Sequence, residues 1–362
     1  MAEHLTPVVP GSAVGIIPNP MSGRDIRRVV AQASVFPNTE KTSMVLRIIR
    51  AVGALGVERV LLSTDTFGIA AGVLREVRRL RAGPPSTRVR LPEIDFLTLP
   101  QPTGSATDTT EYARMMAQRC SAAVALLGGD GTMRAAAPGL GDTPMLALST
   151  GTNNVFPIVI EATVAGMALG LIATRRVHAP TARAKVLHVD VARSDGTRRH
   201  EIALVDVCVN TIGEIGARAV WKTDTLRELY CTFAEPDAIG LSSIPGRIMP
   251  TGRAAPNGVA VLIGPNGRSS RNVLAPIAPG LLELIELDGC EPLPPGITRH
   301  VGLAQGTLAL DGERELEFGP GDRISVTLAA DGPRVIDVPA ALAGECSCCS
   351  TVSMKSIAEE NR

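Results

Sequence analysis

The stretch LLGGDGT, residues 126–132, indicates the fold of this 362-residue chain. It connects the apolar run 122–127 to a helix that we expect to begin near Thr132. A continuous apolar run bounded by turn residues is typical of a strand that is buried on both faces of a parallel sheet. Glycines let the backbone approach a charged group closely, and the amides at a helix N-terminus attract anions. The stretch therefore predicts a strand, a turn and a helix, with an anion site at the turn.

Short apolar runs and amphipathic stretches alternate along the chain around this unit. The amphipathic stretches carry apolar residues at intervals of three and four, which is the spacing of a helix face. Such β-α repetition predicts a parallel sheet with helices on both sides. We therefore expect an α/β domain with a Rossmann-like parallel sheet over residues 1–175. Its predicted strands are 14–17, 59–62, 94–99, 122–127 and 145–148, and its predicted helices include 38–55, 69–80 and 109–120.

The pattern changes after Thr174. Apolar and polar residues alternate over 187–191, and the run 202–209 is predicted as one further strand. Asp-Gly pairs separate runs of this kind and predict β-hairpins at 195–196, 311–312 and 331–332. We expect an antiparallel β-rich, sandwich-like domain over 176–343, followed by a polar tail over 344–362.

The composition argues against several classes of protein. Lys+Arg and Asp+Glu each total 36, and this balance argues against a general nucleic-acid binder. No lysine follows a glycine, so a Walker A loop is excluded, and the five histidines show no spacing typical of a zinc site. No stretch approaches the roughly 20 apolar residues of a membrane span, and the N-terminus lacks a signal-peptide pattern. We expect a cytoplasmic protein with no membrane span and no nucleic-acid partner.

Asp130 is the candidate catalytic residue. A carboxylate among amides that bind phosphate is unfavourable on charge alone. It makes chemical sense if Asp130 binds Mg²⁺, or if it accepts a proton from an attacking hydroxyl. The alternative is that Asp130 only caps the helix that follows.

Polar residues follow three other predicted strands. The stretches are NPMSG at 19–23, STDT at 63–66, which contains Thr64, and STGTNN at 149–154. Because ligands of open α/β sheets bind outside the carboxyl ends of the strands, these residues predict one crevice. Asp206 interrupts the apolar run 202–209. It either contacts a substrate hydroxyl or is satisfied by backbone amides.

Three of these motifs carry a family resemblance. NPxSG at 19–23, GGDGT at 128–132 and GTNN at 151–154, in this order, resemble the NAD kinase and diacylglycerol kinase superfamily. The variant TGTNNVF at 150–156 is similar to a bacterial ATP-NAD kinase-like branch connected with acetoin catabolism. The similarity extends into GLSSIPG at 240–246. The resemblance implies an ATP- and Mg²⁺-dependent kinase that phosphorylates a hydroxyl of a small molecule or nucleotide.

The resemblance also implies roles for individual residues. The ATP phosphates would lie over Gly128–Thr132, with Asp130 as Mg²⁺ ligand or general base. NAD kinases carry an Asn-Glu pair where this chain has Val205-Asp206, and a Thr-Pro-Thr-Gly-Ser loop where it has SSIPG at 242–246. The predicted nucleotide-binding residues are Asn19, Ser22, Gly23, Gly128, Gly129, Gly131, Thr132, Thr150, Gly151, Thr152, Asn153 and Asn154, together with Thr64, which is predicted only from its place after the second strand. The predicted substrate contacts are Asp206, Ser242 and Ser243.

Two functions from different classes follow from the sequence. The first is an ATP-dependent small-molecule kinase associated with acetoin catabolism, with the reaction in the cleft between the two domains. The second is a non-catalytic nucleotide- or metabolite-binding accessory protein of acetoin degradation, for which the altered acceptor motifs speak. An NAD-dependent oxidoreductase rests on the β-α pattern alone. A homo-oligomer is compatible with each of these functions.

Overall fold

A computed structural model of the chain describes residues 6–23, 36–83, 90–151, 153–212, 223–264 and 271–349, without the side chains of 314, 315 and 345–349. The strands are β1 (Val9–Pro18), β2 (Val57–Ser63), β3 (Glu93–Leu97), β4 (Val124–Gly128), β5 (Met145–Ser149), β6 (Thr181–Arg183), β7 (Val186–Ala192), β8 (Arg198–Ala203), β9 (Asp206–Asn210), β10 (Leu226–Cys231), β11 (Gly258–Ile263), β12 (Arg271–Ala278), β13 (Leu281–Leu293), β14 (Thr298–His300), β15 (Gly306–Leu310), β16 (Glu313–Phe318), β17 (Arg323–Ala329) and β18 (Arg334–Ile336). The helices are α1 (Asn38–Ala54), α2 (Ile69–Ala82), α3 (Ala106–Gln118), α4 (Asp130–Leu140), α5 (Ala162–Ala173), α6 (Ser243–Gly246) and α7 (Val338–Cys349).

The first sheet has the strand order β3-β2-β1-β4-β5-β18-β6, and its first five strands are parallel. Helices α1, α2, α5 and α7 cover one face, and α3 and α4 cover the other. On α1 the buried residues recur at three and four positions, because only one side of the helix contacts the sheet. The predicted α/β domain with helices on both faces is thereby confirmed.

The second half of the chain forms two antiparallel sheets. One has the strand order β12-β13-β11-β10-β9-β15-β16, and the other has the order β14-β17-β7-β8. The inward-facing residues of β7 and β17 share one apolar core with those of β9 and β15. The two sheets therefore pack face to face as a sandwich, which confirms the predicted β-rich domain.

The strand predicted over 202–209 is wrong, because the chain breaks there into β8 and β9. The two strands belong to different sheets of the sandwich. At the break, the amides of Leu204 and Val205 donate to the carboxylate of Asp311, at 2.9 and 2.8 Å. A side chain thus takes the place of a strand partner for these two amides, and the strand ends.

The hairpins at Asp195-Gly196 and Asp311-Gly312 are confirmed by the pairs β7–β8 and β15–β16. The hairpin predicted at Asp331-Gly332 is wrong. After this turn the chain leaves the sandwich and β18 pairs with β5 of the first sheet. The Gly332 amide donates to the Ala184 carbonyl, at 3.1 Å, and this bond directs the turn away from a hairpin.

The boundaries between 1–175, 176–343 and 344–362 stay predictions. Strands β6 and β18 fall within the range 176–343, yet they extend the first sheet. Helix α7 includes the first residues of the range predicted as a polar tail. Within the described ranges, no helix is long and apolar enough to cross a membrane.

Candidate active site

The candidate site lies at the carboxyl ends of β1 and β4, where the strand order of the first sheet reverses. The chain adds β2 and β3 on one side of β1 and then returns to add β4 on the other side. The loops after β1 and β4 therefore leave the sheet in opposite directions and open a crevice between them. The NPMSG loop lies on one side of this crevice and the GGDGT turn on the other.

Hydrogen bonds join the NPMSG loop to the GGDGT turn across the crevice. The side-chain amide of Asn19 donates to the hydroxyl of Thr132, at 2.8 Å. Thr132 is buried, and a Cβ added at Gly128 would lie only 2.3 Å from its hydroxyl oxygen. Gly128 is therefore required for the close approach of Thr132, and the two predicted motifs form one structural unit.

The loop after β5 joins the same unit. The hydroxyls of Ser22 and Thr150 are 2.8 Å apart, and the Thr150 amide donates to the Gly128 carbonyl, at 3.1 Å. The Asn154 side chain donates to the Ser149 hydroxyl, at 2.8 Å, and its carbonyl oxygen would lie 2.6 Å from a Cβ at Gly129. Three strand ends thus meet at one place.

The buried side chain of Lys41 holds the NPMSG loop in place. This lysine of α1 is fully buried, and its ammonium donates to the carbonyls of Asn19 and Ser22, both at 2.8 Å, and to the Asn38 side chain, at 3.2 Å. Burying a charge is costly unless its hydrogen bonds are made, and these three acceptors, together with the Pro20 carbonyl at 3.4 Å, satisfy the ammonium. The buried cation therefore determines the shape of the loop.

Asp130 lies in the first turn of α4, which begins two residues earlier than expected. Its carboxylate accepts hydrogen bonds from the amides of Val155 and Phe156. Oδ1 takes the shortest of them, at 2.8 Å from Phe156, and Val155 is shared between Oδ1 and Oδ2 at 3.0 and 3.1 Å. Two amide donors occupy part of the roughly four lone-pair positions of a carboxylate. The residue is thus fixed in orientation by the loop after β5.

Arg253 contacts the backbone of the same two residues, Val155 and Phe156, through their carbonyl oxygens. Its guanidinium donates to the carbonyls of Phe156, at 2.7 Å, and Val155. It also lies 4.4 Å from the ring centroid of Phe233 and forms an ion pair of 3.3 Å with Glu235. Since Arg253 belongs to the β-rich part of the chain, it connects that part to the segment that orients Asp130.

The β15–β16 turn brings a buried carboxylate to the start of α4. Asp311 Oδ2 is 3.3 Å from Arg134 Nε, and the two atoms form an ion pair without a hydrogen bond. Burial raises the pKa of Asp311 to about 7, although the Arg134 charge and the Val205 amide favour its ionised form. The negative charge of Asp130 contributes to the rise, so the two carboxylates act on each other.

Glu313 and Asp206 lie beside this turn. A Cβ at Gly131 would be 4.0 Å from Glu313 Oε2, so the glutamate faces the GGDGT turn directly. Asp206 is buried and accepts a hydrogen bond from the Gly312 amide, at 3.2 Å. This bond is the backbone contact that one of the two sequence interpretations required.

Several predicted residues lie apart from these contacts. The Thr64 hydroxyl donates to the Leu97 carbonyl, at 2.8 Å, and lies 3.1 Å from the Tyr112 hydroxyl, so it joins β2 to β3. Ser242 and Ser243 are buried beside core residues of the β-rich domain, and Ser243 donates to the Gly240 carbonyl, at 2.5 Å. Gly23, Gly151 and Asn153 occupy the loops after β1 and β5, and Thr152 lies outside the described residues.

Sequence reasoning missed Lys41, Arg134, Arg253, Asp311 and Glu313. A lysine or arginine in a sequence reads as an exposed residue, and the Asp-Gly pair at 311–312 reads as a turn. One signal was available for Glu313. A second acidic residue directly follows the Asp-Gly pair, which a hairpin alone does not require.

The residues of the crevice fit a magnesium–nucleotide complex. Mg²⁺ is usually bound by one or two carboxylates together with phosphate oxygens, so Asp130 suffices as the protein's ligand. Among the described residues, no group of three or more His, Cys, Asp or Glu side chains is spaced to hold a metal ion by itself.

Comparison with known proteins agrees with this geometry. The fold is similar to that of yeast NADH kinase complexed with NADH, at a TM-score of 0.52 and 15% identity over 91% of this chain and 84% of that one. A putative diacylglycerol kinase from Bacillus anthracis str. Sterne matches at a TM-score of 0.43 and 13% identity, over 91% and 98% of the two chains. The chain has the NAD kinase fold.

The sequence relationship is more specific. The ATP-NAD kinase N-terminal domain matches residues 75–177, and the acetoin catabolism protein X C-terminal domain matches residues 185–331. Acetoin catabolism protein X of Cupriavidus necator is 44% identical over 331 residues, which are 91% of each chain. The chain belongs to the acetoin catabolism protein X family.

Proposed function

We propose that this protein is an ATP-dependent kinase that phosphorylates a hydroxyl group of a small molecule in acetoin catabolism. The observation that carries the proposal is the meeting of three strand-end loops at the switch point of the sheet, around a carboxylate fixed by two backbone amides. Packing of the fold alone requires neither a fixed orientation of the Asp130 carboxylate nor a second carboxylate, that of Glu313, facing the same turn.

The nucleotide phosphates bind at the N-terminal end of α4. The first amides of a helix have no partner within the helix, and its dipole is positive at that end. The hydrogen bonds Asn19–Thr132 and Ser22–Thr150 preorganise the surrounding loops. Preorganised donors stabilise the charge that develops in phosphoryl transfer, which depends mainly on positioning and electrostatics.

Asp130 either binds the cation or accepts the proton of the acceptor hydroxyl. When bound, Mg²⁺ neutralises the phosphate charge. The amides of Val155 and Phe156 hold the carboxylate in one orientation, so that it loses little freedom when the substrates bind. The acceptor hydroxyl enters between Gly131 and the β15–β16 turn, where Glu313 contributes a second carboxylate.

The substitution Asp130→Asn tests this proposal. Asn retains an oxygen that accepts from the two amides, so the loop keeps its shape while the charge is lost. We expect ATP binding, measured by calorimetry, to persist, and turnover to disappear in a screen of hydroxyl acceptors that includes acetoin and pyridine nucleotides. Asp142→Asn is the matched control, because Asp142 is exposed just beyond the other end of α4.

Two results would contradict the proposal. An unchanged rate for Asp130→Asn removes the base or metal role of the carboxylate. Nucleotide binding by the unsubstituted protein without turnover of any acceptor favours the non-catalytic accessory protein instead.

A further inference from the structure

The outer face of the four-stranded sheet carries two histidines on neighbouring strands. Along β7 the apolar residues are buried, whereas His188 and Asp190 point to the other side. In the antiparallel register Asp190 is opposite His200 of β8, so His188 and His200 are diagonal neighbours on one face. The eleven residues between them form a hairpin, which explains why their sequence spacing does not resemble a metal motif.

The two rings form the centre of a row of four side chains. His188 Nδ1 and His200 Nε2 are 3.2 Å apart. His188 Nε2 lies 3.0 Å from the Asp331 carboxylate, and His200 Nδ1 lies 2.8 Å from the Asp190 carboxylate. In each ring, therefore, one nitrogen faces a carboxylate and the other nitrogen faces the second ring.

This row determines which ring nitrogens carry protons. An ionised carboxylate only accepts hydrogen bonds, so the nitrogen that faces Asp331 and the nitrogen that faces Asp190 must both be N–H donors. In neutral histidine the second nitrogen is then an acceptor. When both rings are neutral, His188 Nδ1 and His200 Nε2 therefore both present lone pairs, and a cation bound by the two nitrogens removes the repulsion between them.

We propose that His188 and His200 bind a divalent transition-metal ion such as Ni²⁺, Cu²⁺ or Zn²⁺. In a tetrahedral Zn²⁺ site with metal–nitrogen distances of 2.0–2.1 Å, two ligand nitrogens are about 3.3 Å apart, close to the separation of 3.2 Å in this pair. A hydrogen bond from the other ring nitrogen to a carboxylate is the usual support of a metal-binding histidine, and both rings have it. Imidazole suits these ions and not Mg²⁺.

The site is open to solvent and separate from the crevice. The side chains of His188 and His200 are 27% and 53% exposed, so water completes the coordination. The two carboxylates behind the rings add negative charge that favours a cation over a neutral ligand. The proposed kinase site lies on the first sheet and takes a hard cation, so either proposal can fail without the other.

Calorimetric titration of Ni²⁺ into the full chain tests the site. We expect one Ni²⁺ bound by the unsubstituted protein, at least tenfold weaker binding by His188→Gln and by His200→Gln, and 10- to 100-fold weaker binding by Asp190→Asn. His300→Gln is the matched control, because His300 is exposed on β14 of the same sheet and belongs to neither ring contact. Its affinity should equal that of the unsubstituted protein.

Electron paramagnetic resonance of bound Cu²⁺ provides a second measurement. We expect two imidazole nitrogens in the unsubstituted protein and one in each single-histidine variant. Equal Ni²⁺ affinity in all variants, or a Cu²⁺ spectrum with thiolate ligands, would place the metal elsewhere and overturn the proposal. Absence of Ni²⁺ binding by the unsubstituted protein would also overturn the proposal.

Discussion

The buried carboxylate of Asp311 should make the stability of the protein decrease between pH 5 and pH 8. Burial raises its pKa from the usual 3.8 to about 7. Each pKa unit corresponds to about 1.4 kcal/mol, so the whole rise is equivalent to about 4 kcal/mol, of which about 3 kcal/mol falls above pH 5. In this window the native state holds the proton that the unfolded chain has lost. The stabilisation is complete below about pH 4 and disappears as the pH rises through about 7.

The substitution Asp311→Asn isolates this effect. Asp311 has a φ of 51°, a left-handed conformation that asparagine tolerates, and the Asn oxygen still accepts from the amides of Leu204 and Val205. The free energy of unfolding is measured by urea titration at pH 5, 6, 7 and 8 for both proteins. All other titratable groups are the same in the two proteins, so their contributions cancel in the difference.

We expect the unsubstituted protein to lose up to about 3 kcal/mol relative to Asp311→Asn between pH 5 and pH 8. If the difference between the two proteins stays constant over this range, the carboxylate does not titrate in the native state as argued. The ion pair with Arg134 would then keep Asp311 charged throughout.

Two further substitutions test the contacts that shape the site. Lys41→Met should lower the free energy of unfolding by about 3–5 kcal/mol, because it removes a buried cation and leaves three carbonyls without their donor. Urea unfolding measures the loss, with Ser43→Ala on the exposed side of α1 as the control, and equal losses would contradict the role of Lys41. Arg253→Gln should accelerate hydrogen exchange at the Val155 amide and lower kcat about 10- to 100-fold with little change in the Kd for ATP, because Asp130 loses its fixed orientation. A changed Kd with unchanged kcat would show that Arg253 does not position Asp130.

The parts of the fold that follow from local pattern were predictable from the sequence. The run 122–127 is apolar and ends at two glycines, which is sufficient to recognise a buried strand and its turn. The hairpins at 195–196 and 311–312 were predictable because an Asp-Gly pair favours a tight turn between two strands. The strand break at Leu204 was not predictable, since its cause is the carboxylate of Asp311, which is more than 100 residues away.

The candidate site was predictable only on its α/β side. NPMSG, GGDGT and STGTNN are continuous motifs, and their meeting follows from the parallel sheet. Lys41 and Arg253 act on backbone carbonyls, which leave no mark in the sequence, and Glu313 comes from a second sheet. Strands β6 and β18 have three residues each, too few to show a period of two. The pairing of His188 with His200 requires the register of the hairpin.

A crystal structure with Mg²⁺ and a non-hydrolysable ATP analogue tests the central claim most directly. We expect the β- and γ-phosphates at the first amides of α4, over Gly128–Thr132, with Mg²⁺ within reach of Asp130 and the γ-phosphate facing the β15–β16 turn. If the analogue binds elsewhere while Asn19 and Thr132 keep the turn closed, the crevice is a structural joint between strands and the proposed kinase function is wrong.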